Sequence, residues 1–328
     1  MFRNLLLLSI ILLAFKINTC KDIEYKEEGG IGILKINHPM IINLNSKALD
    51  DINNILNKIN TNKIRSLIID TIFDIALLNS VDEKTQELMD SYIRYGKETN
   101  QKIEVIPFPS INPVSGFLVL VNGEVVKSVI TGESEFDKTP GVEEMVKMTK
   151  NEAKNFSKKG NYVFRKIETF PIPVIFIGHS SYIGTGLQIA LSCDIRIASD
   201  DMIFGFPEVS YGIMPGFGGT QRLARIIGSG MAKQLIFTGG YLEAKEALQY
   251  GLVNAIYPTD SLLNEAKKIA ESLGKNSLNA IKNSKKAIND GLKENIDKAI
   301  IIEEQLFGDC FETQDQKDRM ENFVNKNK

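Results

Sequence analysis

The chain has 328 residues, 43% hydrophobic and 24% charged, a composition that excludes a disordered or collagen-like chain. Lys and Arg number 39 against 41 Asp and Glu, a net charge of -2, so the basic excess of a general nucleic-acid binder is missing. Three cysteines (Cys20, Cys193 and Cys310) cannot build a disulfide framework, and with two histidines a Cys/His zinc site has too few ligands at any usual spacing.

Arg3 precedes a nearly unbroken apolar run from Leu5 to Phe15, ended by Lys16. Such a run is too short to span a bilayer and suits the core of a signal peptide. Residues 1–20 therefore read as a signal or lipoprotein leader, with Cys20 the residue to be lipidated. The alternatives are a buried N-terminal helix or an anchor left in place. Membrane contact is expected only through this segment, if it is retained or lipidated.

Residues 23–37 predict a hairpin turning at Glu27-Glu28-Gly29-Gly30. A helix capped by Ser46 carries Leu49, Ile52, Ile55, Leu56 and Ile59 on one face. Ile64 to Ile69 reads as a buried strand and Val81 to Tyr95 as a helix, and Pro107, Pro109 and Pro113 break up the next stretch. Asn122-Gly123 between Phe117–Val121 and Val125–Ile130 is a hairpin signal, because both residues tolerate the primed turn. Residues 141–169 are helical and charged, Val174–Ile177 is a strand, and a helix opens near Gly184. Cys193–Ala198 and Met202–Gly205 read as short strands. Helices are then predicted at 220–227, 230–238, 242–250, 262–273, 278–291 and 296–307. Strands joined through helices, with a helical end, make the chain α/β.

Two stretches carry a family likeness. One runs from Pro173 through Gly184-Thr185-Gly186-Leu-Gln188 to Cys193-Asp194-Ile-Arg196-Ile-Ala198. The other is Phe204-Gly205-Phe-Pro207-Glu208-Val-Ser-Tyr-Gly212-Ile-Met-Pro215-Gly216-Phe-Gly218-Gly219-Thr220-Gln221-Arg222-Leu223. Together they resemble the crotonase (enoyl-CoA hydratase/isomerase) superfamily, and nearest within it the bacterial short-chain enoyl-CoA hydratases. The likeness continues through Ala232–Gly239, Glu246–Val253 and Asp315–Phe323, and in weaker form covers Gly32–Ile59. It implies a ββα spiral core with a C-terminal helical trimerisation region. Residues 21–70 would start the core, 71–125 would be an insertion or added subdomain, 126–260 would hold the core and active site, and 261–328 the helical end. Two similar segments, 64–70 and 126–132, compete for one strand position of the family. The resemblance favours 126–132, because Thr131-Gly132-Glu133 and the helix after it match best.

The resemblance also implies a chemistry. The family binds a CoA thioester and holds the oxygen of its enolate with two backbone N–H groups. One falls on Thr185, at the helix start, where family members usually have Gly. The other falls in the turn Lys138-Thr139-Pro140-Gly141, on Pro140, which has no N–H, or with a one-residue slip on Gly141. Hydratases of the family place two glutamates around one water. Here the two positions are Gln188 and Glu208. An amide can hold water but cannot serve as general base, and losing one acid–base group costs on the order of 10²–10⁴ in rate. Phe323 and Lys326 match family residues that contact CoA, often from a neighbouring subunit. Arg222 is expected to order the local fold. No metal and no cofactor beyond the CoA of the substrate is implied, and the partners are an acyl-CoA thioester and further copies of the chain, as a trimer or a dimer of trimers.

Two lesser motifs fall away. Ile189 occupies the third glycine position of a dinucleotide fingerprint. His179-Ser180-Ser181 lacks a nucleophile elbow, and neighbours on a strand point to opposite faces. Cys193 and Cys310 read as buried packing thiols. Three functions stay open: reversible hydration of a short-chain enoyl-CoA, a single-glutamate Δ3,Δ2-enoyl-CoA isomerase, and a catalytically impaired acyl-CoA binder or exported scaffold. The leader favours export, and the family chemistry favours the cytoplasm.

Overall fold

The computed structural model describes residues 23–36, 44–71, 103–107, 115–121, 124–131, 144–179 and 181–326. Strands β1 (Ile23–Glu28) and β2 (Ile31–Ile36) form the expected hairpin. Its turn falls on Gly29 and Gly30, at φ 57° and 79°, a region open to glycine. Helix α1 (Ser46–Lys58) is capped one residue earlier than expected, by Asn45, whose side chain accepts from the Ala48 N–H at 2.8 Å. Strand β3 (Ser66–Thr71) comes next.

Strands β4 (Ile103–Pro107), β5 (Ser115–Val121) and β6 (Glu124–Thr131) make an antiparallel sheet of their own, in the order β4-β5-β6. The β5–β6 pair is the hairpin that Asn122-Gly123 predicts, although those two residues, like the helix expected at 81–95, lie outside the described ones. Helix α2 (Lys150–Glu168) starts at a capping box of Thr149 and Glu152. Then come β7 (Val174–Gly178), β8 (Ser181–Ile183), α3 (Thr185–Ala190), β9 (Ile195–Ser199), β10 (Ile203–Gly205) and a 3₁₀ turn at Pro207–Tyr211. The rest is α4 (Gly219–Ile226), α5 (Ser229–Thr238), β11 (Tyr241–Glu243), α6 (Ala244–Gln249), β12 (Ala255–Tyr257), α7 (Leu262–Gly274), α8 (Leu278–Gly291), α9 (Ile296–Cys310) and α10 (Gln314–Lys326).

The main sheet has the order β1-β2-β3-β7-β9-β12, parallel from β2 onward. A parallel sheet is covered on both faces, so its inner strands carry apolar runs, Leu67–Ile69 and Val174–Ile177. Leu67, Ile69, Val174 and Phe176 face the larger core with α1, α2 and α3. Ile68, Ile175, Ile177 and Ile197 face Leu262, Ala266 and Ala270 of α7. This is the α/β architecture with a helical C-terminal region that the sequence predicts.

One expectation is corrected. The place between β2 and β7 is taken by 66–71, with Ile68 opposite Ile33 and Ile175, and 126–132 is not in it, because 124–131 pairs with β5. The competition turns on side chains buried on both faces. Leu67 and Ile69 fill the main core completely, where the matching residues of the other segment are Val129 and Thr131. Smaller or hydroxylated side chains there forfeit roughly 1–3 kcal/mol of burial.

Packing behind the second half of the chain centres on Phe217. Its ring meets Phe156 edge-on at 5.1 Å and Phe164 at 5.6 Å. Gly160 of α2 lies against it, and a Cβ there would stand 2.3 Å from the ring. We expect Gly160→Ala to lower stability by about 1–3 kcal/mol, overpacking outweighing the better helix propensity. Thermal unfolding of the variant against the parent checks this, and an unchanged or higher Tm would refute it.

Candidate active site

Gln188 and Glu208 sit on different elements that one strand pair draws together. β8 runs parallel to β10, Ser181 opposite Ile203 and Ile183 opposite Gly205. The Gly184 N–H then donates to the Gly205 carbonyl at 3.0 Å. The chain leaves β8 into α3, which carries Gln188, and leaves β10 into the 3₁₀ turn, which carries Glu208. Gly205 has to be glycine, since a Cβ would lie 2.4 Å from the Tyr241 ring and 2.7 Å from the Gly240 carbonyl. Pro207 opens the turn, where its missing N–H costs nothing.

The Gln188 Nε2 donates to Glu208 Oε1 at 3.5 Å. On its other side Gln188 Oε1 accepts from the N–H groups of Phe217 at 2.7 Å and Gly219 at 3.1 Å. These two donors fix the amide, because a flipped side chain would set NH₂ against two N–H groups. Gly219 is bare for this reason: a Cβ would stand 2.9 Å from both Gln188 Cγ and the Phe206 ring. Glu208 Oε2 is buried and has no hydrogen-bond partner among the described residues. Burial pushes the Glu208 carboxyl up to about 7, against a smaller lowering by backbone hydrogen bonding.

That shift ties Glu208 to stability. A carboxyl raised from 4.5 to about 7 favours the folded state fully below pH 4.5 and loses that contribution as pH rises through 7. The shift corresponds to about 3 kcal/mol. Glu208→Gln is therefore expected to match the parent in Tm at pH 4 and to exceed it at pH 8. A constant Tm difference across that range would contradict the assignment.

Thr185 is the first residue of α3 and is buried. Its N–H meets no backbone acceptor among the described residues, as the first N–H of a helix should. Residues 138–141, with Pro140 and Gly141, lie outside the described ones. Phe323 and Lys326 lie exposed on α10, which docks through Arg319 on the Lys275 carbonyl at 2.9 Å. That is a different part of the chain from the turn of Glu208. Cys20 and the rest of residues 1–22 are also outside the described residues. Cys193 is buried, as expected, and burial pushes its thiol up, whereas Cys310 is only half-buried; both are free. His179 Nε2 lies 3.4 Å from Asp70 Oδ1 without a hydrogen bond forming, and Ser180 lies outside the described residues. No group of three or more His, Cys, Asp or Glu that could hold a metal occurs among the described residues.

Arg222 orders the fold, as expected. It donates to Glu168 Oε2 from Nε at 3.2 Å and Nη2 at 2.9 Å, and to the Phe217 carbonyl from Nη1 at 2.9 Å. Burial alone would raise the Glu168 carboxyl, but Arg165 and Arg222 together hold it below the usual value. Sequence reasoning missed Ser157 and Asn161 of α2, which reach the Gly216 carbonyl at 2.6 and 2.9 Å.

The parallel strand pair β8–β10 thus feeds a helix start on one side and, on the other, a turn whose carboxyl meets the Gln188 amide. The family model for enoyl-CoA hydratase/isomerase matches residues 122–328, and the chain belongs to that family, within the crotonase superfamily. The short-chain-enoyl-CoA hydratase of Clostridium acetobutylicum is 47% identical over 209 residues, 63% of this chain and 80% of that one. The crotonyl-CoA hydratase of Syntrophomonas wolfei is 39% identical over 254 residues, 76% of this chain and 96% of that one. Among solved structures, an enoyl-CoA hydratase from Bacillus anthracis superposes with a TM-score of 0.68 at 24% identity, over 93% of this chain and 97% of that one. That likeness concerns the fold.

Proposed function

We propose that the chain reversibly hydrates a short-chain enoyl-CoA, with Glu208 as the single proton carrier. The observation that carries this is the Glu208 carboxyl, its Oε2 buried without a hydrogen-bond partner among the described residues and its Oε1 beside a fixed Gln188 amide; burial pushes it up to about 7. A group that titrates near the working pH can both accept and return a proton. Glu208 takes a proton from a water as its oxygen attacks C3. The C2–C3 π pair shifts to form the C1–C2 double bond, the carbonyl π pair moves onto the thioester oxygen, and the Thr185 N–H stabilises the enolate. Glu208 then returns the same proton to C2. Gln188 holds the water without exchanging a proton. The second oxyanion donor is assigned to the 138–141 turn, where Gly141 has the N–H that Pro140 lacks.

The Gln188 amide favours a second reading, the Δ3,Δ2-isomerase. One carboxylate suffices to move a proton from C2 to C4. The test is loss of the conjugated-enoyl absorbance of crotonyl-CoA, run beside its gain from a 3-enoyl-CoA. Hydration in the first assay supports the main reading. Gain in the second alone supports the isomerase, and no turnover in either leaves a binder.

The partners accord with the same reading. Ile288 of α8, Leu292 just after it, and Ile296, Ile301 and Phe307 of α9 are exposed, an apolar surface that further copies of the chain would cover. Phe323 and Lys326 are assigned to CoA, within a copy or across copies. No helix among the described residues is long and apolar enough to cross a membrane. Residues 1–20 are assigned as an export or lipoprotein leader, with Cys20 as the lipidation site.

A further inference from the structure

The amide orientation at Gln188 depends on a turn, and the turn is held from elsewhere. Residues 216–219 supply both N–H donors. Gly218 in that turn sits at φ 89°, its carbonyl accepts from the Gln221 and Arg222 N–H groups at the start of α4, and the carbonyls of Gly216 and Phe217 are left to side chains. Three side chains grip the turn. Ser157 Oγ donates to the Gly216 carbonyl at 2.6 Å. Asn161 Nδ2 donates to the same carbonyl at 2.9 Å and to the Ser157 carbonyl at 2.9 Å. Arg222 donates to the Phe217 carbonyl while Glu168 anchors its guanidinium. Ser157, Asn161 and Glu168 all lie on α2, so this helix grips the turn directly and through Arg222.

We propose that Ser157 and Asn161 are positioning residues that fix the proton affinity of Glu208 through the 216–219 turn and the Gln188 amide. This rests on the reading of Glu208 as proton carrier. The sign comes from hydrogen-bond chemistry. With Oε1 held by the turn, Gln188 presents N–H to Glu208 and favours its carboxylate form. A loosened turn releases Oε1, the amide turns over, and its carbonyl then favours the protonated acid. The midpoint of Glu208 must rise. Tyr211 lies on the same turn and Tyr241 on β11, which pairs with β10, and Arg222 and Glu168 are paired with each other.

The experiment uses the full chain and the variants Ser157→Ala and Asn161→Ala, singly and together. The Glu208 carboxyl is titrated by its infrared band, identified as the band lost in Glu208→Gln, and the pH profile of crotonyl-CoA turnover is recorded beside it. The expected result is a midpoint raised by about one pH unit, a tenfold gain in proton affinity, with kcat lowered more than KM is changed. Lower Tm with an unmoved midpoint would overturn the proposal and leave the two residues as packing polar groups. If Asn161→Ala does not fold, Ser157→Ala alone decides, since it removes one donor and little volume. A raised midpoint in a chain that turns over no enoyl-CoA would keep the positioning role and sink the hydratase reading instead.

Discussion

Replacing Glu208 by Gln is expected to lower turnover of crotonyl-CoA by on the order of 10²–10⁴. The substitution keeps shape and burial and removes the one group in the pair that exchanges a proton near neutral pH. Because Gln188 already is an amide, the variant has two facing amides and no base. KM should change little, since neither side chain is assigned a role in holding CoA. The higher Tm expected at pH 8 separates this loss from unfolding: the variant should be more stable and inactive. Full turnover by Glu208→Gln would remove Glu208 from the chemistry.

Gln188→Glu is expected to raise hydration, on the order of 10²-fold. The two N–H groups of Phe217 and Gly219 that now meet Oε1 at 2.7 and 3.1 Å would meet a carboxylate oxygen and favour its charge. The second oxygen would take the place of Nε2, facing Glu208 Oε1. Two carboxyls that close cannot both ionise freely, so the pair should titrate in two coupled steps, the upper above that of Glu208 alone. The site would then have one group to activate water and one to handle the proton at C2. The measurement is kcat for crotonyl-CoA across pH. No rise would place the deeper lesion in the oxyanion donors, at Thr185 or in the Pro140 turn.

Much of the fold is legible in the sequence because its signals are local. The β1–β2 hairpin has its two glycines, α8 has its apolar period, and α3 has Gly184 at its start. The three-residue strands β8 and β12 are too short to show any period, and β11 merges by pattern with the helix that begins at Ala244. The strand between β2 and β7 is misplaced by sequence for another reason. Two segments carry nearly the same pattern, and the choice depends on Leu67 and Ile69 filling a core that only the whole sheet creates.

The site divides in the same way. Glu208 and Gln188 are visible because residue type and motif name them. The direction of the Gln188 amide is not, because main-chain N–H groups 29 and 31 residues away impose it. Any residue type at 217 other than proline offers such an N–H, so no side chain marks it. Ser157 and Asn161 are hidden likewise, as ordinary polar positions on a charged helix.

The pH dependence of crotonyl-CoA hydration separates a site with one proton carrier from a site with two. Hydration begins with Glu208 as base, so the rate should rise with pH through a single midpoint near 7, then level off, and Glu208→Gln should abolish that ionisation along with the rate. A bell-shaped profile with two ionisations, or a profile unchanged in Glu208→Gln, would contradict a site with one proton carrier.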